Sequence, residues 1–382
     1  MTVDTTHAFY RATTALARDL AVLAARCVST ADEPLTVLDV LSGSGIRAAR
    51  YLAQANAARV VANDISTRSR LSANLAAVAT PYGAWETTHE DGCRLLSRLA
   101  LDGETFTVVD VDGFGSDGVP VSLALGCVRF GGIIVLNCTD WAGLSGRESS
   151  STIAAYGAVV HACPSSSENS LRVLLGSAAR DAAQRGMHMH PVLAHAAPGP
   201  AYRVIVQVTR GDSASTTQQL GFNCFCRRCS AVWHTSWAAL GSAGACRHCG
   251  STSDVLVNGP LWAGPLHDAD MLRSMEADAA TLGWLADEPG QQAASSLGSL
   301  LALLREEAVS SGLVPFYIRL DQVARAANLP QQPGREALSR ALAARGFTVT
   351  RTQCDPAALR TDAPWEDVLQ AAKDAAVERR HA

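Results

Sequence analysis

The stretch Val37-Leu-Asp-Val-Leu-Ser-Gly-Ser-Gly-Ile-Arg47 decides the fold. A short apolar run, Thr36–Val40, delivers Asp39 to a Gly43-x-Gly45 turn, and Ile46–Gln54 follows with helical character. Strand, glycine turn and helix in immediate succession open a βαβ unit. The pattern then repeats. Arg59–Ala62 is an apolar run ending at Asn63-Asp64, and Ser66–Val78 reads as a helix. Phe106–Val111 reads as a buried strand running into Asp112-Gly-Phe-Gly-Ser116, and Gly131–Asn137 as another. This alternation predicts an α/β, Rossmann-like domain: a mostly parallel sheet with helices on both faces. Ligands of such sheets bind at the carboxyl ends of the strands, where all these loops lie.

Beyond this core, Leu171–Arg185 reads as a helix and Tyr202–Thr209 as a strand. Residues 221–265 are rich in Cys, Gly and Trp and read as irregular. Residues 266–312 read as mainly helical, and residues 313–382 as a compact terminal α/β unit. Its expected parts are helices Leu320–Asn328, Arg335–Arg345 and Pro364–Arg380, with a strand at Phe347–Thr352. Three domains are therefore expected, at 1–220, 221–265 and 266–382.

Composition narrows the function classes. With 382 residues, 48% hydrophobic and 18% charged, the chain is not disordered as a whole. No apolar run reaches the ~20 residues that cross a bilayer, so no membrane partner is expected. The first thirty residues lack a basic start followed by an apolar core, which makes a cytoplasmic address the default. Net charge is −4, so nucleic-acid binding must come from local patches. Lys373 is the single lysine among 32 basic residues; the rest are arginines, which grip phosphate bidentately. Of 11 cysteines, five fall between Cys224 and Cys249. An odd, clustered set indicates a reducing compartment with one metal site and several plain buried thiols. Nothing marks an obligate protein partner.

Three strand ends carry cofactor chemistry. Gly43 and Gly45 let backbone pass close to a ligand. Asp64, ending the second strand, suits a pair of ribose hydroxyls. Asp91, in His89-Glu-Asp-Gly-Cys93, is placed to accept from an adenine amine. A third fingerprint glycine is missing, since Ala48 stands there. S-adenosyl-L-methionine fits these ends as well as a nicotinamide dinucleotide or better. After the fourth strand, Asp112 can accept N–H from an exocyclic amine and align its lone pair with a methyl carbon. Phe114 can stack on a base. A turn with a capping Asp accounts for the same residues. Thr139-Asp140 either lines the same cavity or caps a helix.

Cys226-x-x-Cys229, sixteen residues, then Cys246-x-x-Cys249 is a zinc pattern. Two knuckles supply four thiolates to one tetrahedral ion, which closes the site and makes it structural. Cys224 lies close by as a spare thiol or a replacement ligand. Gly221–Thr252 carries three arginines and no acids.

At these residues the sequence resembles the tRNA (guanine-N2)-dimethyltransferase family, nearly end to end. Phe9-Tyr10 and Ala17-Arg-Asp-Leu20 are similar to its opening segment, and Leu38–Arg50 to its S-adenosylmethionine loop. Asn63-Asp-Ile65, Asp91-Gly92, Asp110-Val-Asp-Gly-Phe-Gly-Ser116 and Thr139-Asp140 follow in the family's order. Glu168 with Leu171-Arg172, Tyr202-Arg203, Asn258–Asp268, Pro315-Phe-Tyr317, Gly346-Phe347 and Leu359–Pro364 match later signatures. The resemblance implies methyl transfer from S-adenosylmethionine to N2 of a guanine in tRNA, usually guanine 26. It implies Arg18, Asp39, Gly43, Gly45, Arg47, Asp64, Ile65, Asp91 and Gly92 around the cofactor. Asp112 would be the catalytic acid beside Phe114, the Cys pairs a structural Zn²⁺ module, and the C-terminal domain a grip on tRNA. Arg335, Arg340, Arg345, Arg351 and Arg360 are the candidate phosphate contacts there, with a solvated helix face the expected reading for at least half of them. Departures are Gly113 for the family's Pro, Arg11-Ala12 in the opening motif, Ala17 for Asn, and Arg360 for Lys. They bear on rate, number of methyl groups and choice of guanine. A tRNA-binding paralogue with a decayed reactive loop, or a methyltransferase for another nucleic acid or a protein amine, are the rival readings.

Overall fold

The computed structural model describes residues 14–30, 32–66, 68–78, 83–113, 120–197, 201–211, 213–285, 296–310 and 316–381. Phe9, Tyr10, Phe114 and Pro315 lie outside them.

The chain opens with α1 (Ala15–Cys27) and then alternates β1 (Thr36–Asp39), α2 (Ile46–Ala55), β2 (Arg59–Asn63), α3 (Arg68–Ala77), β3 (Ala84–Thr88), α4 (Gly92–Leu101), β4 (Phe106–Asp112), α5 (Val121–Ala124) and β5 (Val128–Cys138). Then come α6 (Trp141–Leu144), α7 (Ser149–Tyr156), α8 (Ser166–Ala183), β6 (Met187–Ala197) and β7 (Ala201–Arg210). The strands form one seven-stranded sheet in the order β3-β2-β1-β4-β5-β7-β6. β1 to β5 pair in parallel, and β6 and β7 are antiparallel additions. The β4 sequence, Phe-Thr-Val-Val-Asp-Val-Asp, is buried almost throughout, as a central strand covered on both faces must be.

Two apolar clusters lie against the two faces. One joins α1, α2 and α3 to α10 (Ala269–Thr281) and α11 (Leu297–Ser310); the other joins α4 and α8 to the opposite face. α10 and α11 therefore share a core with α1, and a separate C-terminal core begins only at Ile318. Because the chain steps outward from β1 to β3 and then returns to place β4 on β1's other side, the order reverses between β1 and β4. That reversal opens a cleft at the carboxyl edge.

The segment read as irregular is ordered. After α9 (Ser213–Gln218), β8 (Leu220–Cys226), β9 (Val232–Ser236) and β10 (Val255–Trp262) form a three-stranded antiparallel sheet, β10-β8-β9. Strand periodicity was hidden there because β8, Leu-Gly-Phe-Asn-Cys-Phe-Cys, is buried on both faces and so does not alternate. The terminal unit holds β11 (Ile318–Arg319), α12 (Leu320–Ala326), α13 (Arg335–Ala343), β12 (Val349–Thr350), β13 (Ala358–Thr361) and α14 (Trp365–His381). Its sheet runs β11-β13-β12. Among the described residues no helix is long and apolar enough to cross a membrane.

Candidate active site

Asp110 and Asp112 alternate along β4, so both face α2. Arg47, one residue into α2, reaches both: Nη1 lies 3.3 Å from Asp110 Oδ2 and Nη2 lies 2.7 Å from Asp112 Oδ2. One turn further on, the Tyr51 hydroxyl donates to Asp110 Oδ2 at 2.7 Å. Both bonds fall on Asp110 Oδ2, and its buried Oδ1 has no partner among the described residues, whereas the Asp112 side chain is 35% exposed at the strand tip. Burial opposes the Arg47 charge, but Asp110 and Asp112 outweigh it and raise its pKa. Next door, Asp39 is wholly buried, and among the described residues neither carboxyl oxygen has a hydrogen-bond partner. Burial, reinforced by Asp110, pushes that carboxyl well above the usual range.

The glycine loop is held from the second strand. Asp64 Oδ2 accepts from Gly43 N at 2.8 Å, and Oδ1 accepts from Ser66 N at 2.9 Å. Gly45 caps α2 in the left-handed region (φ 80°), and a Cβ there would meet Leu71 Cδ1 at 2.7 Å. Gly43 (φ 55°) faces open space instead. Asn63, wholly buried, donates from Nδ2 to Val40 O and Glu90 O, both at 3.0 Å, lacing three strand ends together. The sequence shows Asn63 but gives no hint of this work. Ile65 is 68% exposed beside Asp64. Asp91 caps α4 by accepting from Arg94 N at 3.1 Å, with Gly92 the buried first helical residue. Arg18 is buried on α1, its Nη1 donating to Thr14 Oγ1 at 2.5 Å. These residues thus sit around one cleft edge. Thr139-Asp140 takes the capping role: Asp140 Oδ1 accepts from Gly143 N at 3.0 Å and its Oδ2 from the Tyr156 hydroxyl at 3.1 Å.

Sequence reasoning missed the continuation of the Asp112 row. Asp112 registers with Asn137, Asn137 with Arg203, and Arg203 with His195. An arginine inside the apolar strand Ala-Tyr-Arg-Val-Ile-Val was the available signal.

The four predicted cysteines converge. Cys226 and Cys249 Sγ are 3.7 Å apart, Cys229 and Cys246 Sγ 3.4 Å, and all four sulfurs lie within 4.8 Å of one another. Zn–S bonds of ~2.3 Å in a tetrahedron separate sulfurs by ~3.8 Å, so the set fits a Zn²⁺ ion with no position left open for a substrate. Cys224 is buried on β8 and is not among the four.

One expected phosphate contact is corrected. Arg360 is 2% exposed. Its Nη2 lies 2.9 Å from Glu168 Oε2 and 2.6 Å from Glu307 Oε1, in a network that includes Arg172 and His267. Glu168 Oε1 also accepts from Phe316 N at 2.9 Å and Arg172 Nε at 2.7 Å. Burial alone would raise the Glu307 carboxyl, but Arg360 and His267 hold it below its ordinary value. Arg345 is paired with Asp367 and Asp374, and Arg351 with Glu306. Arg340 is exposed on α13.

A family model described as N2,N2-dimethylguanosine tRNA methyltransferase matches residues 1–373. The chain belongs to this family. It is 30% identical to the tRNA (guanine(26)-N(2))-dimethyltransferase of Aeropyrum pernix, over 95% of this chain and 88% of that one. It is also 30% identical to the human enzyme of that name, over 87% of this chain but 52% of the longer relative. The fold matches that of Trm1 from Pyrococcus horikoshii, solved with S-adenosyl-L-methionine, with TM-score 0.78, 24% identity, and coverage of 95% and 94%.

Proposed function

We propose that this protein transfers methyl groups from S-adenosylmethionine to N2 of guanine in tRNA, at position 26 as the relatives' names state. The observation that carries the reading is the half-open Asp112 carboxylate at the β4 tip, clamped on Oδ2 by Arg47, across the topological reversal from the Gly43–Gly45 loop.

The cofactor fits the residues present. A sulfonium and an ammonium bring positive charge, which the unpartnered, buried Asp39 carboxyl lacks. Asp64 would hold the ribose and Asp91 and Gly92 the adenine, with Ile65 covering it and Arg18 and Arg47 taking the carboxylate end. When bound, the cofactor supplies an electrophilic methyl group. Asp112 Oδ1, which has no partner among the described residues, would accept an N2–H of the flipped base and align the nitrogen lone pair. Arg47 keeps the acid from rotating away. Phe114 would stack on the base. Residues 266–382 would grip tRNA through arginines such as the half-buried Arg335 and the exposed Arg340.

The test is nucleoside mass spectrometry of an unmodified tRNA transcript incubated with protein and labelled cofactor. Label in mono- or dimethylguanosine, lost when guanine 26 is replaced by adenine, is expected. Label on protein or DNA alone would reassign the substrate, and tRNA binding without label would make this a binding paralogue.

A further inference from the structure

Arg203 differs from three other buried arginines of this molecule. Arg47, Arg172 and Arg360 each have a carboxylate within salt-bridge distance. Arg203 is 7% exposed and, among the described residues, has none; its Nε has no hydrogen-bond partner. Its neighbours sharpen the imbalance. The charges it feels are those of Arg47, Asp112 and Arg18, and Asp112 is already paired with Arg47. Burial, with Arg47 adding to it, lowers the guanidinium pKa to about 10. Burying such a charge is costly without a nearby counter-charge.

The register says where that something sits. In-register neighbours project from the same face, so Asp112, Asn137 and Arg203 form one row along the carboxyl edge, facing α1 and α2. Asn137 lies between the acid and the arginine, and its buried Nδ2 also lacks a partner. Two unmet donors therefore stand side by side next to the reactive acid. Beyond them the row closes, because His195 Nδ1 meets Gln353 Oε1 at 2.9 Å. One bound anion would satisfy both orphan donors at once.

We propose that Arg203 and Asn137 form an oxyanion-binding position of the methyl-transfer cleft, not among the cofactor contacts that the sequence motifs supply. Guanidinium and amide together take a carboxylate or phosphate in charge-assisted hydrogen bonds. Two sources offer that chemistry: the carboxylate of the cofactor's amino-acid end, and a phosphate flanking the flipped nucleotide. The position rests on the methyl-transfer reading above and names a residue that reading does not require.

Calorimetry on the full chain separates the possibilities, using S-adenosylhomocysteine, 5′-methylthioadenosine (which lacks the amino-acid end) and unmodified tRNA as probes. Wild type, Arg203→Gln and Arg203→Lys are compared, with thermal melting as a fold control. If the carboxylate is held, Arg203→Gln weakens S-adenosylhomocysteine about 10- to 100-fold, leaves methylthioadenosine unchanged, and is partly rescued by Lys. If a phosphate is held, S-adenosylhomocysteine is unchanged, tRNA binding weakens, and the salt slope of tRNA affinity falls by about one. Either result supports the position. Equal weakening of S-adenosylhomocysteine and methylthioadenosine, tracking a fallen melting temperature, makes Arg203 structural and overturns it. Unchanged binding of all three probes overturns it as well. Failure of wild type to bind S-adenosylhomocysteine at all would instead defeat the methyl-transfer reading.

Discussion

Two arginine–carboxylate clusters in this molecule use the same side chains to opposite ends. Around Glu168, five donors meet two oxygens: Arg172, both terminal nitrogens of Arg360, and the amides of Phe316 and Tyr317. Both Glu168 oxygens are saturated, although Arg172 Nη2 and Arg360 Nε keep no partner among the described residues, and the cluster joins α8 to the C-terminal unit. Around Asp112 the accounts do not close. One oxygen is paired, the side chain is partly exposed, and Asp39, Asn137 and Arg203 keep unpartnered buried atoms. A carboxylate saturated on both oxygens ties an interface together; one with an open oxygen at a strand tip can still take a ligand.

That contrast can be broken experimentally. Glu168→Gln leaves the two guanidiniums of Arg172 and Arg360 short of buried negative charge, and should cost about 3–5 kcal/mol in urea unfolding. Intact stability in that variant would show that the joint is not what it resembles. Asp112→Asn should lower kcat for tRNA methylation about 10²–10³-fold, about 3–4 kcal/mol of barrier, with an unchanged melting temperature. A variant that keeps its rate would remove Asp112 from the chemistry.

Acid should act through His195, at the far end of the Asp112 row. Burial lowers its pKa to about 4 from an ordinary 6.5, against the bond from Gln353. The unfolded chain therefore binds a proton first as pH falls. Stability is complete above about pH 6.5, declines between there and about 4, and by pH 4 has lost roughly 3 kcal/mol from this group. His195→Gln should flatten that segment of a stability-versus-pH curve; an unaltered slope would assign it to other groups. Smallest of all, Arg351→Ala removes a surface pair with Glu306 and should shift stability by less than about 1 kcal/mol. A larger loss would mean that exposed pairs here are not merely solvated.

The sheet, the glycine loop, the acid at the β4 tip and the four thiols were legible in the sequence because each is written locally. Strand, turn and helix follow within Val37–Arg47, and the cysteine spacing is itself the metal geometry. What stayed hidden is non-local. Arg360 reads as a surface cation in a near-neutral segment with eleven basic and ten acidic residues over 299–382, yet its partner Glu168 lies 192 residues away. The Asn137–Arg203 row exists only through pairing of β5 with β7. Asn63 gave its type but not its task, which depends on three loops meeting.

The joint at Glu168 does not stand alone. Trp365 Nε1 donates to Cys229 O at 3.2 Å and Gln322 Nε2 to Ser230 O, so the C-terminal unit also grips the first cysteine knuckle. It is anchored to the rest of the molecule at two places. An RNA held at that end would present its bases to the reactive acid at a fixed span, and the joint would serve as a ruler that selects a nucleotide by its distance along the substrate.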